Sequence, residues 1–150
     1  MKLTRSVSYA VGVLLSVSQS RGEGPVPAAT ISKAGKYPPR FLYRVLRRLV
    51  DAGLLNGTSG PGGGYSLARP ARKITLLDIV TAVEGKPTAT KLSAVSPAHR
   101  PALATINRLT DRAAQRFRQD LSSVTLAKLS AGGRTKKPGK GKAAKGAGKK

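Results

Sequence analysis

Between Pro39 and Asp51 four arginines and two aromatic residues sit among aliphatic ones at a fixed spacing. Arg40, Arg44 and Arg47 recur at i, i+4 and i+7, which is one face of a helix, with Tyr43 beside them and Arg48 on the flank. Leu42, Val45, Leu46 and Leu49 repeat at the complementary positions and point inward. A guanidinium is a planar fork that meets two acceptors at once, whether on the guanine edge or on phosphate. This segment therefore suits recognition of a polyanion. The rest of the chain offers little for catalysis. There is one histidine, His99, no cysteine, and six scattered acids that form no evident acid–base pair. The protein reads as a non-enzyme that needs no cofactor.

The surrounding elements are those that would present such a helix. Pro38-Pro39 opens it, because proline is tolerated in a first turn where the N–H has no intrahelical partner. Gly53 closes it. A short helix over Ala28–Ala34 precedes it, with Gly35 as a left-handed stop. Leu54-Leu55 and Tyr65-Ser66-Leu67 predict two strands around a glycine-rich tip, Ser59-Gly60-Pro61-Gly62-Gly63-Gly64. This tip lacks the Gly-Lys-Ser/Thr ending of a nucleotide loop. It suits close approach to a duplex backbone instead. Helix, turn, helix and hairpin is the winged helix-turn-helix order.

Further along, Ile74-Thr75-Leu76-Leu77-Asp78-Ile79 starts another helix, with Thr75 and Asp78 spaced for a capping box and Ile74 placed to staple onto Ile79. Gly85 ends it. At the N-terminus Val7, Val11, Leu14 and Leu15 give a first amphipathic helix. Serines interrupt its apolar run, which is too short to cross a bilayer and does not read as a secretory leader.

The expected organisation is a mainly α fold with a small β-hairpin wing: a winged domain over 1–85, a loop over 86–101, a long helix over 102–130 and a disordered basic tail over 131–150. Leu103, Ile106, Leu109, Ala113, Phe117 and Leu121 form the long helix's apolar stripe, which must fold back on the domain or meet a second copy. The charge supports the polyanion reading. Lys and Arg number 28 against 6 acids, for +22. Residues 1–130 still hold twenty cations and six acids, or +14 without the tail.

The run Val50-Asp51-Ala52-Gly53-Leu54-Leu55, the wing Gly60-Pro61-Gly62-Gly63-Gly64-Tyr65 and the helix start Ile74-Thr75-Leu76-Leu77-Asp78 together resemble the Rrf-two family of bacterial winged-helix transcription regulators. The resemblance covers roughly residues 1–130, weakest over Lys86–Pro101. It implies a homodimer held by the long helix on a palindromic operator. It also implies recognition-helix contacts from Pro39, Arg40, Phe41, Tyr43 and Arg44, and wing contacts from Ser59 to Gly64. Two departures stand out. Ser59 replaces the arginine usual before the Gly-Pro-Gly, and the loop in which many members hold an iron–sulfur cluster has no cysteine here.

The resulting expectation is a cytoplasmic, nucleoid-associated repressor. It binds double-stranded DNA and a second copy of itself, without cluster or membrane; any effector is left open. The alternative is an architectural, chromatin-like protein whose tail coats DNA without choosing sites.

Overall fold

A computed structural model describes residues 3–20 and 24–132. Of the disordered tail expected over 131–150, residues 133–150 lie outside the described residues, whereas Ala131 and Gly132 end the last helix and correct that expectation. Six α-helices and one hairpin make up the described chain: α1 (Arg5–Ser18), α2 (Ala28–Gly35), α3 (Pro39–Asp51), β1 (Leu55–Thr58), β2 (Gly64–Leu67), α4 (Leu76–Glu84), α5 (Arg100–Ser123) and α6 (Leu126–Gly132).

Helix α1 begins where the Thr4 side chain accepts a hydrogen bond from the Ser6 N–H, which satisfies one of the donors left free at a helix start. It buries Val7, Ala10, Val13, Leu14 and Val17. Val11 and Leu15, expected inside, are half-buried at the margin. Helix α3 buries the four aliphatic residues its spacing assigns, Leu42, Val45, Leu46 and Leu49. Leu54, Leu55, Ile74 and Ile79 complete a dense centre with Leu14 and Ile31, all at most 1% exposed. Each such side chain contributes about 1.5–3 kcal/mol of transfer free energy, which suits a core almost without aromatics.

The capping box at α4 is present. The Thr75 hydroxyl accepts from the Asp78 N–H at 3.1 Å, and the Asp78 carboxylate accepts from the Thr75 N–H at 2.9 Å. The hairpin pairs Leu55 with Leu67 and Thr58 with Gly64 in antiparallel register. A strand-like contact not expected from the sequence joins it: Val26 and Tyr65 exchange two backbone hydrogen bonds. The sheet edge is thus stitched to the segment entering α2.

Two further expectations are corrected. Residues 102–130 do not form one helix. Helix α5 starts two residues early at Arg100, with Pro101 in its first turn, and ends at Ser123. Val124 is then extended. Thr125 pairs with Thr75, fixed by Leu76 N–H to Val124 O and Leu126 N–H to Ile74 O, both at 2.8 Å. The chain turns there because β-branched Val124 and Thr125 extend readily and Ile74 and Leu76 offer free backbone partners. Helix α6 then returns to pack on α1, burying Leu126. The second correction concerns Gly35. It is not the left-handed residue; Lys36 takes that conformation, at φ 52°. A Cβ at Gly35 would overlap the Tyr37 ring, so close approach rather than backbone freedom accounts for the glycine.

Candidate nucleic-acid interface

Helix α3 begins at Pro39, with Pro38 as its extended N-cap, so the chain enters it directly from the short turn after α2. Its outward side carries Pro39, Arg40, Tyr43, Arg44 and Arg47, all exposed, with Tyr43 at 57%. Arg47 lies 3.8 Å from Asp51 in an i,i+4 pair, both ends largely in water. Arg44 rests over the Phe41 ring, 4.9 Å from its centroid.

The wing approaches the same helix. A cleft of about 650 Å³ separates Tyr43, Arg47 and Asp51 of α3 from Thr58, Ser59, Gly63 and Tyr65 of the hairpin. The tip turns through Gly60 and Gly62, at φ 90° and 74°, and the Gly63 N–H donates to Gly60 O at 3.0 Å. Ser59 to Gly62 are exposed, whereas Gly63 and Gly64 are half-buried where the strand begins. Gly64 abuts the Val26 carbonyl so closely that a Cβ would overlap it.

The structure therefore brings Tyr43 and Arg47 to one cleft with Ser59, Gly63 and Gly64 of the wing, and leaves Arg40 and Arg44 exposed on the same helix, but it does not gather every expected contact residue. Arg48 turns toward α4, where its guanidinium donates to the Val83 carbonyl near that helix's C-terminus, a placement favourable to a cation. It lines a second cleft, about 640 Å³, with Arg69 and Lys86. Phe41 is half-buried, its ring 4.8 Å from that of Tyr9, so it packs beneath the outward face rather than projecting from it.

Tyr37 completes that aromatic group, edge-on to Tyr9 at 5.2 Å. Its ring lies against both Gly12 and Gly35. Burial raises the Tyr37 hydroxyl above its ordinary pKa, with Tyr9 adding to the shift. Sequence reasoning missed this wedge. The only signal was Gly12, a glycine inside a helix that carries a propensity penalty with no reason visible nearby, since Gly35 reads as a helix stop.

The stripe of α5 divides in two. Phe117 is half-buried on the core and Leu121 is 5% exposed, so these belong to the chain's own interior. Ala114, rather than the expected Ala113, faces inward. Leu103 is half-buried, while Ile106 and Leu109 stand 40% and 58% exposed. Beside them the loop is fastened to α5. Asn107 accepts from the Leu92 N–H at 2.9 Å and donates to Leu92 O at 3.0 Å, and Arg118 donates to Pro87 O at 2.8 Å.

The chain matches the Rrf2 family model, described as an iron-dependent transcriptional regulator, over residues 3–132. It is 33% identical over 129 residues to the HTH-type transcriptional regulator IscR of Erwinia tasmaniensis, covering 86% of this chain and 78% of that one. The match to IscR of Xenorhabdus nematophila is 38% over 91 residues, 61% of this chain and 56% of that protein, so it spans only about half that relative's length. Among solved structures, CymR, titled the global cysteine regulator of B. subtilis, superposes with a TM-score of 0.69 at 24% identity, covering 87% and 97% of the two chains. T. potens IscR does so with a TM-score of 0.63 at 25% identity, covering 89% of each.

An iron–sulfur cluster does not fit the donor set present. Iron–sulfur clusters are held mainly by thiolates, and none of the 150 residues is cysteine. Among the described residues no three of His, Cys, Asp and Glu stand together to hold a metal ion. No helix among them is long and apolar enough to cross a membrane. The segment that fastens to α5 does so through amide and guanidinium hydrogen bonds instead. By fold, motif and family match, this chain belongs to the Rrf2 family of winged-helix transcription regulators, whose members are not enzymes.

Proposed function

We propose that the protein binds double-stranded DNA as a homodimer and represses transcription from a two-fold symmetric operator, without a cluster. One observation carries the reading: α3 bears an exposed arginine face, and its Arg47 stands across an open cleft from the glycine wing. In this reading α3 enters the major groove while the wing tip lies along the backbone. Arg40, Arg44 and Arg47 meet bases and phosphates; Ser59 to Gly64 contribute backbone N–H groups rather than an inserted arginine. Exposed Ile106 and Leu109 with Leu103 support pairing of two α5 helices, which would set the half-site spacing. Occupation of a promoter then excludes polymerase, which is repression. The site of action would be the cytoplasmic nucleoid.

A second reading has its own observation. Residues 131–150 hold eight cations and no acid, a composition suited to coating DNA regardless of sequence. Selection from a random-sequence duplex library, with the full chain and with residues 133–150 removed, tests both. Enrichment of symmetric sites by the shortened chain, with a shallower salt dependence, supports the regulator. Loss of all binding on shortening, with no site enriched by either form, supports the architectural role.

A further inference from the structure

The outward arginines of α3 differ in what lies beneath them. Arg47 is steered by exposed Asp51, a weak tether in water. Arg44 instead lies on a ring built into the protein. Its guanidinium carbon is 4.9 Å from the Phe41 centroid. Phe41 is held by Tyr9 at 4.8 Å, Tyr9 meets Tyr37 edge-on at 5.2 Å, and Tyr37 is seated against Gly12 and Gly35. A continuous aromatic path thus runs from the α1–α2 contact to one guanidinium on the outward face.

We infer that Phe41 is a positioning residue for sequence readout: it fixes the Arg44 guanidinium before DNA arrives, so that Arg44 discriminates bases while Arg40 and Arg47 contribute mainly charge. The physical reason is entropic. A free arginine loses most of its rotamer freedom when it bonds a base, and a guanidinium already confined over an aromatic face has less to lose. The contact itself is of the modest size expected for an exposed cation–π pair, which holds the group without sequestering it. This inference rests on α3 being the DNA-reading helix.

The test uses the full chain and the duplex site recovered by selection, with a scrambled duplex of equal length for comparison. Phe41→Leu keeps an apolar side chain and removes the ring; Phe41→Tyr keeps the ring. Phe41→Leu should weaken the selected site about fivefold and leave the scrambled duplex within twofold, while Phe41→Tyr should restore binding to near the parent value. In an Arg44→Ala background Phe41→Leu should have no further effect on site preference. Thermal midpoints identify any loss due to unfolding, in which case Phe41→Met, which also removes the ring at similar volume, carries the same comparison with the same outcomes. Equal weakening on both duplexes, an additive double variant, or tighter binding by Phe41→Leu would overturn the positioning role. If Arg44→Ala and Arg40→Ala both leave selected-site binding intact, the reading of α3 as the DNA helix fails instead.

Discussion

Val26 and Tyr65 exchange both of their backbone hydrogen bonds, at 2.8 and 2.9 Å, and this pair fixes the wing to the chain entering α2. The wing's angle to α3 is therefore set from outside the hairpin. A two-stranded ribbon alone is marginal in water, and the extra pair supplies a third edge. Gly64 permits it, because a Cβ there would overlap the Val26 carbonyl. Gly64→Ala should destabilise the fold by about 1–3 kcal/mol, as overpacking does, and should weaken DNA binding beyond that loss. Gly57→Ala is the control. Its added methyl makes ordinary contact with the Tyr65 ring at 3.6 Å and should leave the denaturation midpoint nearly unchanged.

Asp51 is an acid placed at the edge of a basic surface. It pairs with Arg47 at 3.8 Å, but with side chains 85% and 67% exposed the pair adds little to stability. Its larger effect falls on approaching phosphates, which it repels while drawing Arg47 along the helix. Asp51→Asn should leave thermal stability within about 0.5 kcal/mol and tighten binding to nonspecific duplex by a few fold, with a steeper salt dependence. Unchanged affinity on titration at two ionic strengths would show that Arg47 does not face DNA.

Gly12 and Gly35 invert a simple propensity argument. Alanine in the middle of a helix normally stabilises by about 0.5–1 kcal/mol over glycine. At Gly12 a Cβ would meet the Tyr37 hydroxyl, and at Gly35 the ring itself. Gly12→Ala should therefore destabilise, by about 1–3 kcal/mol. Combined with Tyr37→Ala, which vacates the space, the same change should become neutral or favourable relative to Tyr37→Ala alone. Chemical denaturation of the four proteins closes the cycle.

Tyr37 also makes a pH prediction. Its folded pKa is raised above the usual 10.0, chiefly by burial, so the folded chain holds this proton more tightly than the unfolded one. Stability from that difference is complete below about pH 10 and is lost as pH rises through the folded value. Tyr37→Phe removes the proton while keeping the ring. Above pH 10 the stability of the parent should fall more steeply than that of Tyr37→Phe, other titrating groups being common to both.

The regular elements were legible because their causes are local. The leucine spacing of α3, the Thr75–Asp78 box and the strand–glycine–strand order each act over a few residues, and each is present. What could not be read depends on partners far along the chain. Val26 looks like one valine between two prolines until Tyr65 lies beside it. Arg48 and Arg47 are indistinguishable by type, and only the Val83 carbonyl 35 residues on separates their roles. The break after Ser123 follows from backbone partners at Ile74 and Leu76, so a continuous helical pattern concealed it. Phe41 was expected to contact DNA only by the family resemblance, and Tyr9, far along the chain, draws it inward.

The divided stripe of α5 yields the last prediction. Phe117 and Leu121 pack on the chain's own core, so substitutions there lower its stability and say nothing about assembly. Ile106 and Leu109 remain 40% and 58% exposed, so a charge at Leu109, the more open of the two, has little cost within one copy. Leu109→Glu should keep the parent thermal midpoint at low protein concentration yet convert a dimer to a monomer in sedimentation. It should weaken the symmetric DNA site by at least tenfold, because two half-sites are no longer bound as a linked pair. Binding to a single half-site should be unaffected. Phe117→Ala, by contrast, should lower stability by about 3–5 kcal/mol if its burial were complete, and by less because it is only half-buried. A Leu109→Glu protein that remains dimeric and binds the symmetric site as tightly as the parent would place the association surface elsewhere than on α5.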